Sequence, residues 1–158
     1  MDNDIIWAAG FIDGEGCITI SRIRYKAKDR WYYKAHISCG QTIKGRVAIE
    51  KLRTLFGGYV YEYHQVGNKL PTLTWSVRSK AAREVAEKLI PYLVLKKPQA
   101  QLMLQLLTRN ERKLNHELTD EELNDRRVIY EQMRNLNAIG LEYQKRLSEE
   151  TAKAEATV

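Results

Sequence analysis

Two carboxylates near the N-terminus are the residues best placed to do chemistry. Asp13 and Glu15 lie two positions apart in the apolar, glycine-containing stretch Trp7–Ile20, WAAGFIDGEGCITI. The apolar residues before them predict a helix, and the alternation that follows Gly16 predicts a strand. We therefore expect both carboxylates at a helix terminus beside a sheet, where carboxylate oxygens can bind hard divalent cations.

Gly10 and Gly14 share one face of that helix because they are four residues apart. Glycine inside a helix costs about 0.5 to 1 kcal/mol relative to alanine, and a pair on one face therefore requires a reason in packing. Two interpretations are open: a tight contact within the chain, or a helix that pairs with its own copy. Gly16 is expected to end the helix in a left-handed conformation.

The residues AAGFIDGEG, from Ala8 to Gly16, resemble the motif of the LAGLIDADG homing endonuclease family, with Ala8 in place of the opening leucine. The resemblance implies that the motif helix is a dimer or pseudo-dimer interface and that the acidic residue at the eighth motif position binds divalent metals. That residue is Glu15 here, where the family more often has aspartate. Because the motif occurs once in the chain, the resemblance implies a homodimer. The interface residues would be Ala9, Gly10, Asp13 and Gly14.

Length and composition indicate one globular domain. A chain of 158 residues is an ordinary size for one domain, and we expect it to span 1–158, with a core over about 4–110 and a helical extension over about 119–150. No apolar run reaches the roughly 18 residues of a membrane span. The start of the chain, Met1 to Asp4, is acidic, unlike a signal or transit peptide. We therefore expect no membrane partner.

The number and spacing of the cysteines indicate the compartment in which the protein is expected. Cys17 and Cys39 are far apart and lack the spacing of a zinc site. We expect free thiols in a reducing compartment, either prokaryotic cytoplasm or an organelle matrix, with a disulfide as the lesser alternative.

Positive charge is concentrated between Ser21 and Thr54. This segment has ten basic and two acidic residues, whereas nine acidic residues outnumber six basic ones from Thr119 onward, in a chain of net charge +6. We expect the first segment to face phosphates, with a merely solvated charged face as the alternative.

The predicted order of elements is helix, two strands, helix, two strands and then helices. The clearest strand runs from Arg30 to Cys39, where Trp31 and the other odd-numbered residues take the core face. In the first half we also expect a helix from Asn3 or Asp4 to Gly14, a strand from Cys17 that ends in a basic turn over Arg22–Arg30, a connector at Gln41–Lys44, and a helix over Gly45–Phe56 with Val47 inward. In the second half we expect a hairpin of Tyr59–Gln65 and Leu70–Arg78 around Val66–Lys69, a helix capped by Ser79 and a helix after Pro98. The last helix is expected to be capped by Thr119 and Glu122 and to reach Gly140 or beyond, before a frayed tail.

This α+β order, αββαββα, resembles the LAGLIDADG fold from about Trp7 to Leu107. In that fold a saddle of four antiparallel strands lies on DNA and helices back it; here a C-terminal helix is added. The resemblance also implies roles around the active site. Gln41 matches a polar residue that positions solvent near the scissile phosphate, and Lys96, in PYLVLKKPQAQL, matches a lysine that stabilises phosphate charge or helps activate water. Arg46 is the nearest candidate for a further basic residue.

The implied metal ligand is Glu15, with the Gly14 backbone carbonyl and Asp13 as further candidates. For Asp13 a structural role, in hydrogen bonds to backbone groups, is favoured over metal binding. In a dimer the two Glu15 carboxylates would repel each other unless divalent cations lay between them. Mg²⁺ is the expected cofactor, Mn²⁺ is expected to substitute for it, and Ca²⁺ is expected to support binding without cleavage.

Double-stranded DNA is the implied partner, since four antiparallel strands can present side chains to a major groove. The residues expected to point outward toward DNA are Thr19, Ser21, Arg22, Arg24, Arg30, Tyr32, Lys34, His36, Ser38, Tyr61, Tyr63, Thr74, Ser76 and Arg78.

The resemblance therefore implies a homodimeric, intron-encoded endonuclease that makes metal-dependent double-strand breaks with short 3′ overhangs at a long, pseudo-palindromic site. The alternatives are a non-catalytic DNA-binding protein or an RNA-splicing maturase on the same fold, for which intron RNA would be the partner. A basic structural or ribosome-associated protein is a third interpretation. It would account for the charge but not for the carboxylate of Glu15.

Overall fold

A computed structural model describes residues 2–64, 67, 70–111 and 117–155, with side chains up to residue 138 except those of residues 28 and 111. Its elements follow the predicted order, and the α+β fold is confirmed. In chain order they are α1 (Asp2–Glu15), β1 (Gly16–Tyr25), β2 (Arg30–Thr42), α2 (Arg46–Phe56), β3 (Tyr59–Tyr63), β4 (Thr72–Arg78), α3 (Ser79–Leu89), α4 (Lys97–Glu111) and α5 (Asp120–Glu155).

The four strands form one antiparallel sheet in the order β1-β2-β4-β3. The long β1–β2 hairpin pairs Gly16 with Cys39 at one end and Tyr25 with Arg30 at the other. β4 lies beside β2, and the short β3 forms the second edge. The turn predicted at Val66–Lys69 lies outside the described residues, apart from Gly67.

One face of the sheet is buried against the helices. Tyr33, Ala35, Ile37 and Cys39 on β2 are each at most 8% exposed, which confirms the alternation predicted for this strand. Trp31 was predicted on the same buried face but is 39% exposed. It lies near the free end of the hairpin, where the guanidinium of Arg22 lies 4.6 Å from the centroid of its ring.

Glycines end two helices for different physical reasons. Gly57, with φ of 68°, follows α2 as predicted, and its N–H donates to the Arg53 carbonyl at 2.8 Å. Gly16 does not have a positive φ, contrary to prediction. A Cβ atom at Gly16 would lie 2.7 Å from the carbonyl oxygen of Ile12, because β1 leaves α1 without an intervening loop. Gly16 is thus required for space, not for a left-handed conformation.

Three details of the helices differ from the predictions. Val47 was predicted to face inward but is 82% exposed. The face of α2 that packs on the core is the one that carries Ile49 and Leu52. Ser79 is the first residue of α3 and does not cap it; the cap position belongs to Arg78, without a side-chain hydrogen bond. Helix α5 continues through Glu155, and most of the predicted frayed tail is therefore helical.

The predicted capping box at the start of α5 is confirmed. The Thr119 N–H donates to Glu122 Oε2 at 2.9 Å, and the Glu122 N–H donates to Thr119 Oγ1 at 3.3 Å. One turn further on, Arg126 is 3% exposed and donates to Asn110 Oδ1 at 3.0 Å and to the Arg109 carbonyl at 2.7 Å. Burial lowers the pKa of Arg126. These contacts hold α5 against the end of α4.

Cys17 and Cys39 are free thiols on opposite faces of the β1–β2 hairpin, since Cys17 pairs with Ser38 and Cys39 pairs with Gly16. Side chains on opposite faces of a sheet cannot meet disulfide geometry, and the disulfide alternative is excluded. Within the described residues, no helix has both the length and the apolar character needed to cross a bilayer.

Candidate active site and nucleic-acid interface

Glu15 is the last residue of α1, and its side chain is exposed. The carbonyl end of a helix carries roughly half a negative elementary charge, and a carboxylate there adds to the negative potential instead of compensating it. This end of α1 therefore attracts cations.

Asp13 is buried two residues before Glu15, at 9% exposure. Its Oδ2 accepts a hydrogen bond from the Val94 N–H at 2.7 Å, and its Oδ1 accepts one from the Lys96 N–H at 2.8 Å. Both carboxylate oxygens thus bind backbone groups of the segment between α3 and α4. This arrangement matches the structural role that was favoured over metal binding.

Lys96 approaches the same end of α1. Its ammonium donates a hydrogen bond to the backbone carbonyl of Asp13, in the last turn of the helix, where positive charge is stabilised. Lys97 is the first residue of α4. Of the two neighbouring lysines, Lys96 is therefore the one that the structure places beside α1.

Glu15 and Lys96 both act on the thiol of Cys39, which shows that they lie at one place. Burial and, to a smaller extent, the Glu15 carboxylate raise the pKa of the Cys39 thiol to about 12, and the Lys96 ammonium opposes the increase. Burial also raises the pKa of Cys17, again opposed by Lys96. The start of β1, the end of β2, the end of α1 and Lys96 thus meet at one corner of the sheet.

Gln41 lies at this corner, within β2 and not in the predicted connector. It follows Cys39 by two residues on the same face, just past the point where Gly16 begins β1. The side chain packs closely against Gly45, where a Cβ atom would lie 2.8 Å from the Cβ of Gln41.

Arg46, the fourth predicted catalytic residue, is held elsewhere. Its guanidinium lies 3.8 Å from a carboxylate oxygen of Glu50 and 3.6 Å from one of Glu62. These ion pairs engage it with α2 and β3, and no contact among the described residues joins it to Glu15 or Lys96. The structure thus brings Glu15 and Lys96 to one corner, places Gln41 at the adjoining end of β2, and engages Arg46 in ion pairs with α2 and β3.

One chain presents few ligands for a divalent cation at this corner. Among the described residues, no three His, Cys, Asp or Glu side chains cluster in an arrangement that could hold a metal. Glu15 offers a carboxylate oxygen, and the Gly14 carbonyl belongs to the last helical turn, whose carbonyls have no partner within the helix. These oxygen donors suit Mg²⁺ or Ca²⁺ in type.

Among the residues that the structure describes, none outside α1 lies close to the glycine pair. A Cβ atom added at Gly10 or Gly14 would meet nothing within 4 Å. A tight contact with another described part of the chain, the first of the two interpretations of this pair, is therefore excluded. Ala9 and Asp13, also predicted at the interface, face the core instead, at 0% and 9% exposure. The exposed face of α1 continues at Ile6, which is 48% exposed.

The sheet face that points away from the helices, here called the outer face, combines cations, hydroxyl groups and aromatic rings. The strand register aligns these side chains in rows, for example Thr19, His36 and Arg78. Strands lie about 4.8 Å apart, and such rows can follow the edge of a groove. The predicted contact residues on this face are Thr19, Ser21, Arg30, Tyr32, Lys34, His36, Ser38, Tyr61, Tyr63, Thr74, Ser76 and Arg78.

Arg22 and Arg24 lie on the opposite face, and their predicted orientation was wrong. The guanidinium of Arg22 lies 5.6 Å from the ring centroid of Tyr130 on α5. Arg24 donates to Asp29 Oδ1 from its Nε at 2.9 Å. The prediction chose charged residues over the strict alternation that begins with the buried Ile20, and the alternation determines the face.

Two residues of the outer face are less accessible for contact with DNA than predicted. Ser76 is 5% exposed, because it lies in the interior of the sheet between Ser38 and Tyr59. Arg30 is half-buried and donates to the Leu118 carbonyl at 3.1 Å, which ties it to the segment before α5.

Sequence reasoning missed three large side chains on the outer face. Tyr59 is 78% exposed, Tyr25 is 51% exposed and Ile23 is 46% exposed. Strict alternation along β1 and β3 would have found them. Apolar and aromatic groups can also contact bases.

These features define an α+β protein whose antiparallel sheet presents a cation-rich outer face and whose first helix ends in an exposed carboxylate at a corner of the sheet. The family described as LAGLIDADG endonuclease matches residues 8–105, and the chain belongs to that family of DNA endonucleases. A comparison with curated proteins gives no match.

Solved structures share the fold over most of their length. The homing endonuclease I-CvuI, in complex with the I-CreI target, is similar at a TM-score of 0.70 and 19% identity, over 85% of this chain and 83% of that one. The homing endonuclease I-TnaI is similar at 0.64 and 22% identity, over 87% and 96%. The archaeal intron-encoded I-Vdi141I, complexed with DNA, is similar at 0.69 and 15% identity, over 85% and 84%.

Proposed function

We propose that the protein is a homodimeric homing endonuclease that cuts both strands of a long, nearly palindromic DNA site with divalent metal. The observation that carries the proposal is the exposed Glu15 at the end of a helix whose glycine face meets no other described part of the chain. Structures of I-CvuI, which shares the fold, were solved with DNA targets and with Mg or Ca.

Exposed apolar groups support pairing through α1. Gly10, Gly14 and Ile6 form an exposed face on a helix that carries apolar residues around its whole circumference. Val94 and Leu95, in the segment held by Asp13, are 79% and 70% exposed. Burying one such side chain contributes about 1.5 to 3 kcal/mol. A second copy on this face would cover these groups and bring the two Glu15 side chains together.

The residues at the corner have separate roles in the proposed reaction. Glu15 and the Gly14 carbonyl would hold the cation with their counterparts in the second copy. A bound Mg²⁺ stabilises charge on the phosphate and makes bound water more acidic. Lys96 supplies a positive charge for the phosphoryl oxygens, and Gln41 donates or accepts hydrogen bonds with solvent near the scissile phosphate.

DNA would lie on the outer face. Lys34 and the other cations of this face can neutralise phosphates, while hydroxyl groups and tyrosine rings contact bases. We further propose an intron-encoded origin and a reducing intracellular location. The free thiols Cys17 and Cys39 agree with such a location.

Cleavage of a randomised double-stranded DNA library tests the proposal. With Mg²⁺, wild type should cut one long site, whereas Glu15→Gln should bind the same site in Ca²⁺ but lose cleavage by at least about 100-fold. Glu84→Gln, an exposed carboxylate of α3, is the matched control and should cut like wild type.

Two outcomes would contradict the proposal. Cleavage that survives Glu15→Gln would remove Glu15 from the reaction. Tight nucleic-acid binding without cleavage by wild type would instead indicate a non-catalytic binder, and structured intron RNA would then separate a maturase from a DNA-binding protein.

A further inference from the structure

We infer that Asp13 is a positioning residue for the reaction: it fixes the segment Leu93–Lys96 so that the Lys96 ammonium stays beside Glu15. The inference rests on the proposed function, because Lys96 acts on phosphate only if the protein cuts DNA. It assigns to the first carboxylate of the motif a role that metal binding by Glu15 does not include.

Asp13 contacts Lys96 twice and Val94 once. The Asp13 carboxylate accepts the Val94 N–H at 2.7 Å and the Lys96 N–H at 2.8 Å, while the Asp13 backbone carbonyl accepts the Lys96 ammonium. The backbone and the side chain of Lys96 are therefore both hydrogen-bonded to one residue of α1.

The segment has few other anchors. Leu93 is buried at 3% exposure. Its N–H donates to the Leu89 carbonyl at 3.0 Å, in the turn that follows α3. The next backbone contact outside the Asp13 bonds is the Ala100 N–H to the Lys96 carbonyl at 3.0 Å, in the first turn of α4. Between these points, Val94 and Leu95 extend into solvent. Within one chain, the carboxylate of Asp13 is thus the main restraint on the residues that lead to Lys96.

The chemistry of the carboxylate matters more than its volume. Both backbone partners are N–H donors, and an ionised carboxylate can accept from both. An asparagine of the same shape would place its NH₂ group against one of these donors and lose that bond. The occupied oxygens also oppose metal binding by Asp13, because a metal could bind there only if the segment were released.

A small displacement of Lys96 is expected to slow the chemical step. Misplacing a reacting or charge-stabilising group by about 1 Å can reduce a rate by about 100-fold even when the change is made elsewhere. DNA binding should not change, because Asp13 is buried and lies on the helix side of the sheet.

A double-mutant cycle tests the inference, with Asp13→Asn, Lys96→Met, the double variant and the Glu84→Gln control. Single-turnover cleavage by Asp13→Asn should fall at least about tenfold while the Kd for DNA in Ca²⁺ stays within about twofold. The double variant should cut no more slowly than Lys96→Met alone, because Asp13 acts through Lys96. Multiplied losses in the double variant would overturn the inference.

Two readouts do not depend on cleavage. Acylation of the Lys96 amine, followed by mass spectrometry with the exposed Lys88 as reference, should be severalfold faster in Asp13→Asn than in wild type. In wild type, the Val94 and Lys96 amides should be protected from hydrogen exchange despite the exposed side chains around them. Unprotected amides, or an unchanged acylation rate, would overturn the inference. Absence of cleavage by wild type would instead overturn the proposed function, and these two readouts would still decide the role of Asp13.

Discussion

At the scale of single residues, His36 gives the outer face a pH dependence. Burial lowers its pKa below the ordinary value of 6.5, and the neighbouring Arg78 lowers it further. The unfolded chain therefore binds this proton more readily than the folded protein, and the stability linked to His36 is present above pH 6.5 and lost as pH falls through the folded pKa. We expect the free energy of unfolding to fall between about pH 7 and about pH 5 more steeply in wild type than in His36→Gln.

Urea denaturation at several pH values measures this difference. Both proteins share every other titrating group, and the difference between their curves isolates His36. Parallel curves would mean that the environment of His36 in the folded protein does not disfavour its protonated form.

At the scale of elements, the exposed face of α1 leads to a prediction about assembly. Gly10→Leu adds a side chain where a Cβ atom meets none of the described residues within 4 Å, and the folded monomer should tolerate it. Removing a glycine from a helix should even stabilise the monomer by about 0.5 to 1 kcal/mol. The same side chain would separate two α1 helices packed through this face. Sedimentation equilibrium should show a dimer for wild type and a folded monomer for Gly10→Leu.

The matched control is Thr54→Leu, which places the same side chain on an exposed position of α2. This variant should remain dimeric. A dimeric Gly10→Leu protein would show that the copies pair elsewhere, and a monomeric wild type would contradict the homodimer itself.

Periodicity predicted the elements well, but not the contacts that join their ends. The alternation of β2 and the capping box at Thr119 are local patterns and could be found without the structure. The bonds from Asp13 to Val94 and Lys96 span more than 80 residues, and no local pattern encodes them. Arg22 was placed on the wrong face for a different reason, since its charge was given more weight than the register of its strand. The single-domain boundaries stay a prediction.

At the scale of the whole molecule, the outer face and the proposed dimer together set the salt dependence of DNA binding. The logarithm of the binding constant falls with the logarithm of salt concentration by about 0.9 for each phosphate neutralised. Lys34 is exposed on the outer face, whereas Arg22 is exposed on the opposite face beside Tyr130. If two copies bind one site, Lys34→Gln removes two phosphate contacts per complex and should reduce the slope by about 1.8.

Arg22→Gln serves as the control, because it removes the same charge from the other face of the same hairpin. Its slope should equal that of wild type when both are measured by fluorescence anisotropy in Ca²⁺ over a series of salt concentrations. Since the net charge of the two variants is identical, a difference between their slopes depends on the face from which the charge was removed and not on the total charge. A decrease of only about 0.9 for Lys34→Gln would indicate one chain per DNA site, which contradicts the dimer, and equal slopes for both variants would contradict DNA binding by the outer face.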